Sequence, residues 1–261
     1  MSSAPNLLRD AWRMIVADWP ATLRLVLVPW LIMIGFEFGF HATYFGYFAG
    51  ELRIDFDAPP PSGNGPFYGF LASLCVSILC WVWIAVGWHR YMLGEEVARS
   101  WLPCWQTRRS LRYFGKALWT WLPLAPVMFV FFIVAAVFFD DTVLGTYPEA
   151  ALDPGRLLSV GFFILLLNVI LLRIGLVLPA AAMDQKMTLR ASWGLTRGQH
   201  GIWSVALALS LAYVFFSVPV LGFAENNLLY AVFYTVSEIV TLMGLGVLTA
   251  LYARLVKGID L

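Results

Sequence analysis

Charged residues are scarce in this sequence. They make up 13% of its 261 residues while hydrophobic ones make up 61%, and an ordinary soluble domain carries about a quarter charged residues. A formal net charge of +1 supplies no bulk field to attract nucleic acid, so any electrostatic role falls to local clusters. Cysteine is scarcer still. Of the three, Cys75 and Cys80 share one apolar run, five residues and so about 140° apart around a helix, and Cys104 lies elsewhere, which excludes a disulfide framework and a shared metal. No GxSxG elbow, HExxH helix, Walker loop or dinucleotide fingerprint occurs, so neither cofactor nor metal is expected and an intramembrane enzyme is disfavoured. A cleavable signal pattern and lipidation boxes are missing too, and anchoring is expected to rest on the chain's own apolar segments.

Those segments are abundant. Apolar runs at 21–49, 67–92, 117–139, 157–182, 202–224 and 228–255 are each long enough for about 30 Å of hydrocarbon. They predict an all-α, polytopic membrane protein with six transmembrane helices in a single membrane domain over 1–261. Its parts would be an amphipathic helix in 1–20 and three hairpins at 21–92, 98–182 and 186–255. Arg99, Arg108, Arg109, Arg112, Lys116, Lys186, Arg190 and Arg197 fall in the second and fourth connections, against Arg53 and Arg156 in the first and third. This positive-inside asymmetry predicts cytoplasmic N- and C-termini in a bacterial-type inner membrane. Indoles gather at the same side: Trp12, Trp19, Trp88, Trp101, Trp105, Trp119, Trp121, Trp193 and Trp203 map near the expected cytoplasmic interface.

Three basic amphipathic stretches, beginning Leu8-Arg9, Leu111-Arg112 and Leu189-Arg190, each precede a pair of spans. A helix breaker follows each leucine by twelve residues: Pro20, Pro123 and Gly201. The pattern predicts three short interfacial helices in a threefold hairpin repeat, each turning into the bilayer at its breaker. In the middle copy Arg108, Arg109, Arg112 and Lys116 share an arc of about 100° opposite Leu111, Phe114 and Leu118. In the first copy Leu8, Trp12, Ile15 and Trp19 form the apolar stripe, edged by Arg9 and Arg13. Together with Lys186, Arg190 and Arg197, these cations are candidate contacts for anionic headgroups at the cytoplasmic face; a purely anchoring role explains the same residues.

A few polar residues fall inside the spans: Glu37, His41, Asn168, Arg173 and Glu238. Charge at mid-bilayer is costly and marks a candidate site. At about 1.5 Å per residue Glu37 and Glu238 reach similar depths, with Arg173 about 8 Å nearer the cytoplasm. A buried ion pair fixing helix register and a hydrated path in a small transporter or channel using Glu37, His41, Arg173 and Glu238 are both open. Gly35 and Gly39 form a small-residue face opposite Glu37 and His41. His89 and Arg90, near Glu95 and Glu96, read as solvated interface anchors.

The run Gly87-Trp88-His89-Arg90-Tyr91-Met92-Leu93-Gly94-Glu95-Glu96, with Leu178-Pro179-Ala180-Ala181 leading to Trp193-Gly194-Leu195-Thr196-Arg197-Gly198, resembles uncharacterised bacterial multi-spanning inner-membrane proteins. In layout it is similar to the membrane region attached to some glycerophosphodiester phosphodiesterases. The resemblance implies a six-helix membrane module without the soluble phosphodiesterase domain, so that activity does not carry over. The expectation is a non-enzymatic, lipid-contacting scaffold, accessory subunit or envelope factor, with membrane lipids and a membrane-protein partner as its company.

Overall fold

A computed structural model of the chain describes residues 4–45, 64–94, 105–138, 154–222 and 227–259. Among the described residues there are helices and turns but no strand. The helices are α1 (Ala4–Ala17), α2 (Trp19–Phe45), α3 (Gly65–Met92), α4 (Thr107–Phe138), α5 (Pro154–Ile174), α6 (Val177–Ala182), α7 (Leu189–Thr196), α8 (Gly201–Gly222) and α9 (Asn227–Tyr252). A π-helical turn, Ala253–Lys257, continues α9 and ends on Gly258, whose φ of 66° is the left-handed conformation that glycine adopts without strain.

Six of these helices are long, and each coincides with an expected apolar run. Four contain a stretch long and apolar enough to cross a bilayer: Trp19–Phe36, Phe67–Met92, Thr107–Phe131 and Thr235–Lys257. A fifth is reached if α7 and α8, bent by 104°, count as one broken span, and the apolar part of α5, Leu158–Ile174, is shorter. Large apolar side chains face outward along the rods, among them Phe67 (60% exposed), Phe129 (67%), Leu158 (74%) and Phe215 (68%). In water such a surface would aggregate, whereas in lipid it is matched to its solvent.

Burial concentrates at one end of the bundle. The core runs through Leu7, Ala11 and Met14 of α1, Leu25 of α2, Val82 to Trp88 of α3, Leu176 to Met183 around α6, Ile202 to Leu209 of α8 and Val247 to Tyr252 of α9. Within hydrocarbon, helices gain little from hiding apolar surface from one another, so close approach at small residues and polar ties carry the association. Gly246 illustrates it: a Cβ there would lie 3.1 Å from the Ala11 Cβ and 3.3 Å from its Cα, so α1 rests directly on the α9 backbone. Gly175 is tighter still, since a Cβ would meet the Leu171 carbonyl oxygen at 2.4 Å and Leu248 at 2.9 Å, at the joint where α5 gives way to α6. Gly35 and Gly39 behave otherwise: among the described residues no atom lies within 4 Å of a Cβ at either, so the expected small-residue contact is not found there.

Two of the three expected interfacial helices are separate elements, and the middle one is not. α1 stops before Asp18, and Pro20 sits in the first turn of α2, where a missing N–H costs nothing. α7 is capped by Thr188, whose side chain accepts from the Ala191 amide, and Gly201 opens α8 beyond a turn. The basic stretch at Arg108 to Lys116, by contrast, is the first part of a 32-residue α4 that runs unbroken through Pro123 and Pro126. The α1 stripe also needs correction. Leu7, Ala11 and Met14 face the core, Leu8 and Ile15 pack at its edge, and Trp12 and Trp19 are exposed.

The contact at Gly246 generates a paired test. Gly246→Val should lower the thermal midpoint of the detergent-solubilised protein, by about 1–3 kcal/mol of stability for an overpacked site. Gly244→Ala, on the same helix with nothing within 4 Å, should leave the midpoint unchanged or raise it, because alanine is the better helix former by about 1 kcal/mol.

Candidate functional site

The buried end of the bundle is also where the chain's charges meet. Asp18 sits in the break between α1 and α2, and its Oδ1 accepts from the Ala21 amide at 3.2 Å, the N-cap bond that starts α2. Its other oxygen accepts from the Tyr91 hydroxyl of α3. Together these bonds hold the Asp18 carboxyl below its ordinary value, the Tyr91 hydroxyl contributing most. The Thr22 hydroxyl closes the corner by donating to the Ile15 carbonyl at 3.0 Å.

Across the bundle end, Asp10 of α1, 3% exposed, accepts from Arg254 of the terminal π-helical turn. The bond ties the two ends of the described chain to each other. A carboxylate so far from solvent needs such a partner, since removal of one member of a buried pair costs about 3–5 kcal/mol.

His89 and Arg90, expected as solvated anchors, are instead buried at 0% and 5% exposure. The cause is α6, a short helix with all six residues buried, which fills the space beside the inner end of α3. Arg90 donates from Nη1 to the Ala182 carbonyl at 3.3 Å, at the C-terminus of α6. The His89 Nδ1 lies 2.9 Å from the Thr249 hydroxyl of α9, and its Nε2 lies 3.5 Å from the Tyr113 hydroxyl of α4. Thr249 donates its one proton to the Leu245 carbonyl at 2.8 Å. Proton counting then has Nδ1 donating to Thr249 and Nε2 accepting from Tyr113, a polar staple joining α3, α4 and α9. Trp88, expected at the interface, is fully buried, and its indole N–H meets no acceptor among the described residues.

Between α6 and α7 the chain makes a turn at Asp184, a non-glycine residue with φ of 57°. The turn is a Schellman closure: the Gln185 amide donates to the Ala180 carbonyl at 2.8 Å and the Asp184 amide to the Ala181 carbonyl at 3.3 Å. Asparagine and aspartate tolerate this region better than other side chains. The Asp184 carboxylate reaches α4, accepting from Arg109 Nε at 2.5 Å on one oxygen and from Arg112 Nη1 on the other. Arg109 also donates to Gln106, one helical turn earlier, and Lys116 donates to the Met187 carbonyl at 3.4 Å. All three charged side chains of the clamp stay about one third exposed, at 32%, 36% and 39%.

The intramembrane polar residues do not assemble as one group among the described residues. Asn168 donates from Nδ2 to the Ser210 hydroxyl at 2.9 Å, pinning α5 to α8. Arg173 points to α7, where Nη1 donates to the Thr196 carbonyl at 2.8 Å and the guanidinium lies 5.5 Å from the Trp193 ring centroid. That geometry is a cation–π contact at a helix C-terminus. Glu238 is half-buried on α9, and the side chains of Glu37 and His41 lie outside the described residues.

Of the remaining expected cations, Arg9, Arg13, Arg108, Lys186, Arg190 and Arg197 are all exposed. Exposed indoles share this end with them: Trp12, Trp19, Trp105, Trp119, Trp121, Trp193 and Trp203. No protein-family model matches the chain, and no curated protein or solved structure is significantly similar to it.

The Asp184 clamp has a defined pH signature. Its carboxyl is held below the ordinary 3.8, chiefly by the Arg109 hydrogen bond, which partial burial opposes and the charges of Arg109, Arg112 and Arg90 assist. A depressed folded value means that the stabilisation is complete above the ordinary value and is lost as pH falls through the folded one. Thermal midpoints should therefore be flat from about pH 8 to about pH 5 and fall below about pH 4. Asp184→Asn should flatten that acid limb; an acid limb of unchanged depth would assign it to other groups.

Proposed function

We propose that the chain is a non-enzymatic membrane module whose cationic, tryptophan-rich end lies at the headgroup level of the cytoplasmic leaflet and holds anionic lipids. In this role it acts as a scaffold, accessory subunit or envelope factor. The observation that carries the proposal is the coincidence at one end of the bundle of exposed arginines, exposed indoles and the two short helices α1 and α7. Each cation near an anionic surface contributes about 1 kcal/mol, and amphipathic rings prefer the same depth.

Six crossings, with α5 and α6 together as the fourth, would place both termini and the second and fourth connections in the cytoplasm. The positive-inside charge asymmetry supports that orientation in an inner membrane. The resemblance in layout to the membrane region of some glycerophosphodiester phosphodiesterases adds a membrane module to this proposal and no activity. A transporter is supported less well, because Asn168 and Arg173 are held in contacts that join helices.

Replacing Arg108, Arg190 and Arg197 together by glutamine should cut co-purification of anionic lipid by about tenfold or more, with neutral lipid unaffected. Undiminished anionic lipid in a correctly folded variant would remove the proposal. Orientation is checked separately: Lys116 and Lys186 should resist an impermeant amine label applied outside intact cells and react once the membrane is opened.

A further inference from the structure

Resting on that headgroup-level placement, we propose that the fork of Arg109 and Arg112 is a seat for a lipid phosphomonoester headgroup, and that Asp184 is its built-in occupant. Two guanidiniums three residues apart on α4 converge on one oxyanion, each taking a separate oxygen, and Gln106 holds Arg109 in position from the preceding turn. Two forks closing on adjacent oxygens of one anion is the geometry by which arginine pairs recognise phosphate.

Charge selects the ligand class. Segments 95–116 and 183–190 together carry seven cations, Arg99, Arg108, Arg109, Arg112, Lys116, Lys186 and Arg190, against three acids, Glu95, Glu96 and Asp184. A single carboxylate between two guanidiniums leaves one positive charge over. A phosphodiester headgroup, also a monoanion, gains nothing over Asp184. A phosphomonoester carries about −1.5 to −2 near neutral pH and balances both arginines.

Position selects the source. Leu111 and Leu118, exposed at 62% and 56%, lie on the face of α4 opposite the arginine arc, so the helix offers lipid an apolar side for acyl chains and the anion a polar one. Asp184 is displaceable in kind: it sits in an exposed turn, in a left-handed conformation, held by partly exposed ion pairs of the sort that contribute at most about 1 kcal/mol each. The seat is therefore closed by a weak internal surrogate and opens to a stronger anion.

The full-length protein in neutral detergent, offered phosphatidic acid and phosphatidylglycerol of identical acyl chains in a phosphatidylcholine background, tests this by lipid retention. Wild type should retain the monoester over the diester. Asp184→Asn, which keeps a side chain suited to left-handed backbone, should raise monoester retention about fivefold. Arg109→Gln with Arg112→Gln should bring it down to the diester level. Unchanged or reduced monoester retention in a folded Asp184→Asn protein overturns the seat, while loss of all anionic lipid on neutralising Arg108, Arg190 and Arg197 would still leave the surface role standing. Displacement of the bound lipid by millimolar inorganic phosphate assigns the seat to soluble phosphate and overturns the lipid assignment.

Discussion

In hydrocarbon a backbone N–H or C=O without a partner costs several kcal/mol, and there is no water to relieve it. The break between α5 and α6 answers to that constraint. At the α5–α6 joint the helix breaks over Gly175, and α7 repairs it. The Ser192 hydroxyl donates to the Arg173 carbonyl at 2.8 Å and accepts from the Leu176 amide at 3.2 Å, while the Thr196 hydroxyl lies 3.0 Å from the same carbonyl. Arg90 supplies a donor to the far end of α6. Were α7 to move, the joint would lose its partners, so that short helix is fixed by the needs of the helix break it packs against.

The same constraint explains the division between the two ends of the bundle. One end carries the polar ties: Asp10 with Arg254, Asp18 with Tyr91, His89 with Thr249 and Tyr113, and Asp184 with Arg109 and Arg112. These join segments distant in sequence, and under the proposed orientation they lie where water and headgroups lower the cost of assembling charge. Further along the rods, apolar side chains such as Phe129 and Phe215 face outward and give little reason for one helix to choose another. Register is therefore set at the charged end.

What could be read from the sequence follows the range of each interaction. Long apolar runs are local, and all six overlap helices, the fourth being divided between α5 and α6. α1 and α7 were also legible, because a basic amphipathic stretch next to a breaker is a local signal. The middle stretch was misread because its cationic arc looks the same on a short surface helix as on the first turns of a long one. The prolines of α4 do not decide between the two, since membrane helices accommodate proline. Asp10 and Asp184 carried no local mark at all, their partners being 244 and about 75 residues away. Arg173 was legible only as a costly charge in need of a partner: an acid on another helix was one expectation, and the Trp193 ring with the Thr196 carbonyl of α7 is what it finds.

Broken helices often mark transport sites, because unwound backbone near mid-bilayer is left to be satisfied by an ion or substrate. The α5–α6 joint is of the opposite kind. Its freed carbonyl and amide are met by Ser192 and Thr196 from within the chain, and Gly175 has no room even for a methyl group. A joint already sealed by hydroxyls offers a ligand nothing to replace except at the cost of the fold. The Asp184 turn differs: it is exposed, its backbone is closed within the turn, and its carboxylate alone is held by the side chains of Arg109 and Arg112. An anion can take the place of a carboxylate there without unmaking a helix, and for that reason chemistry in this molecule is better sought at the level of the headgroups than in the middle of the bundle.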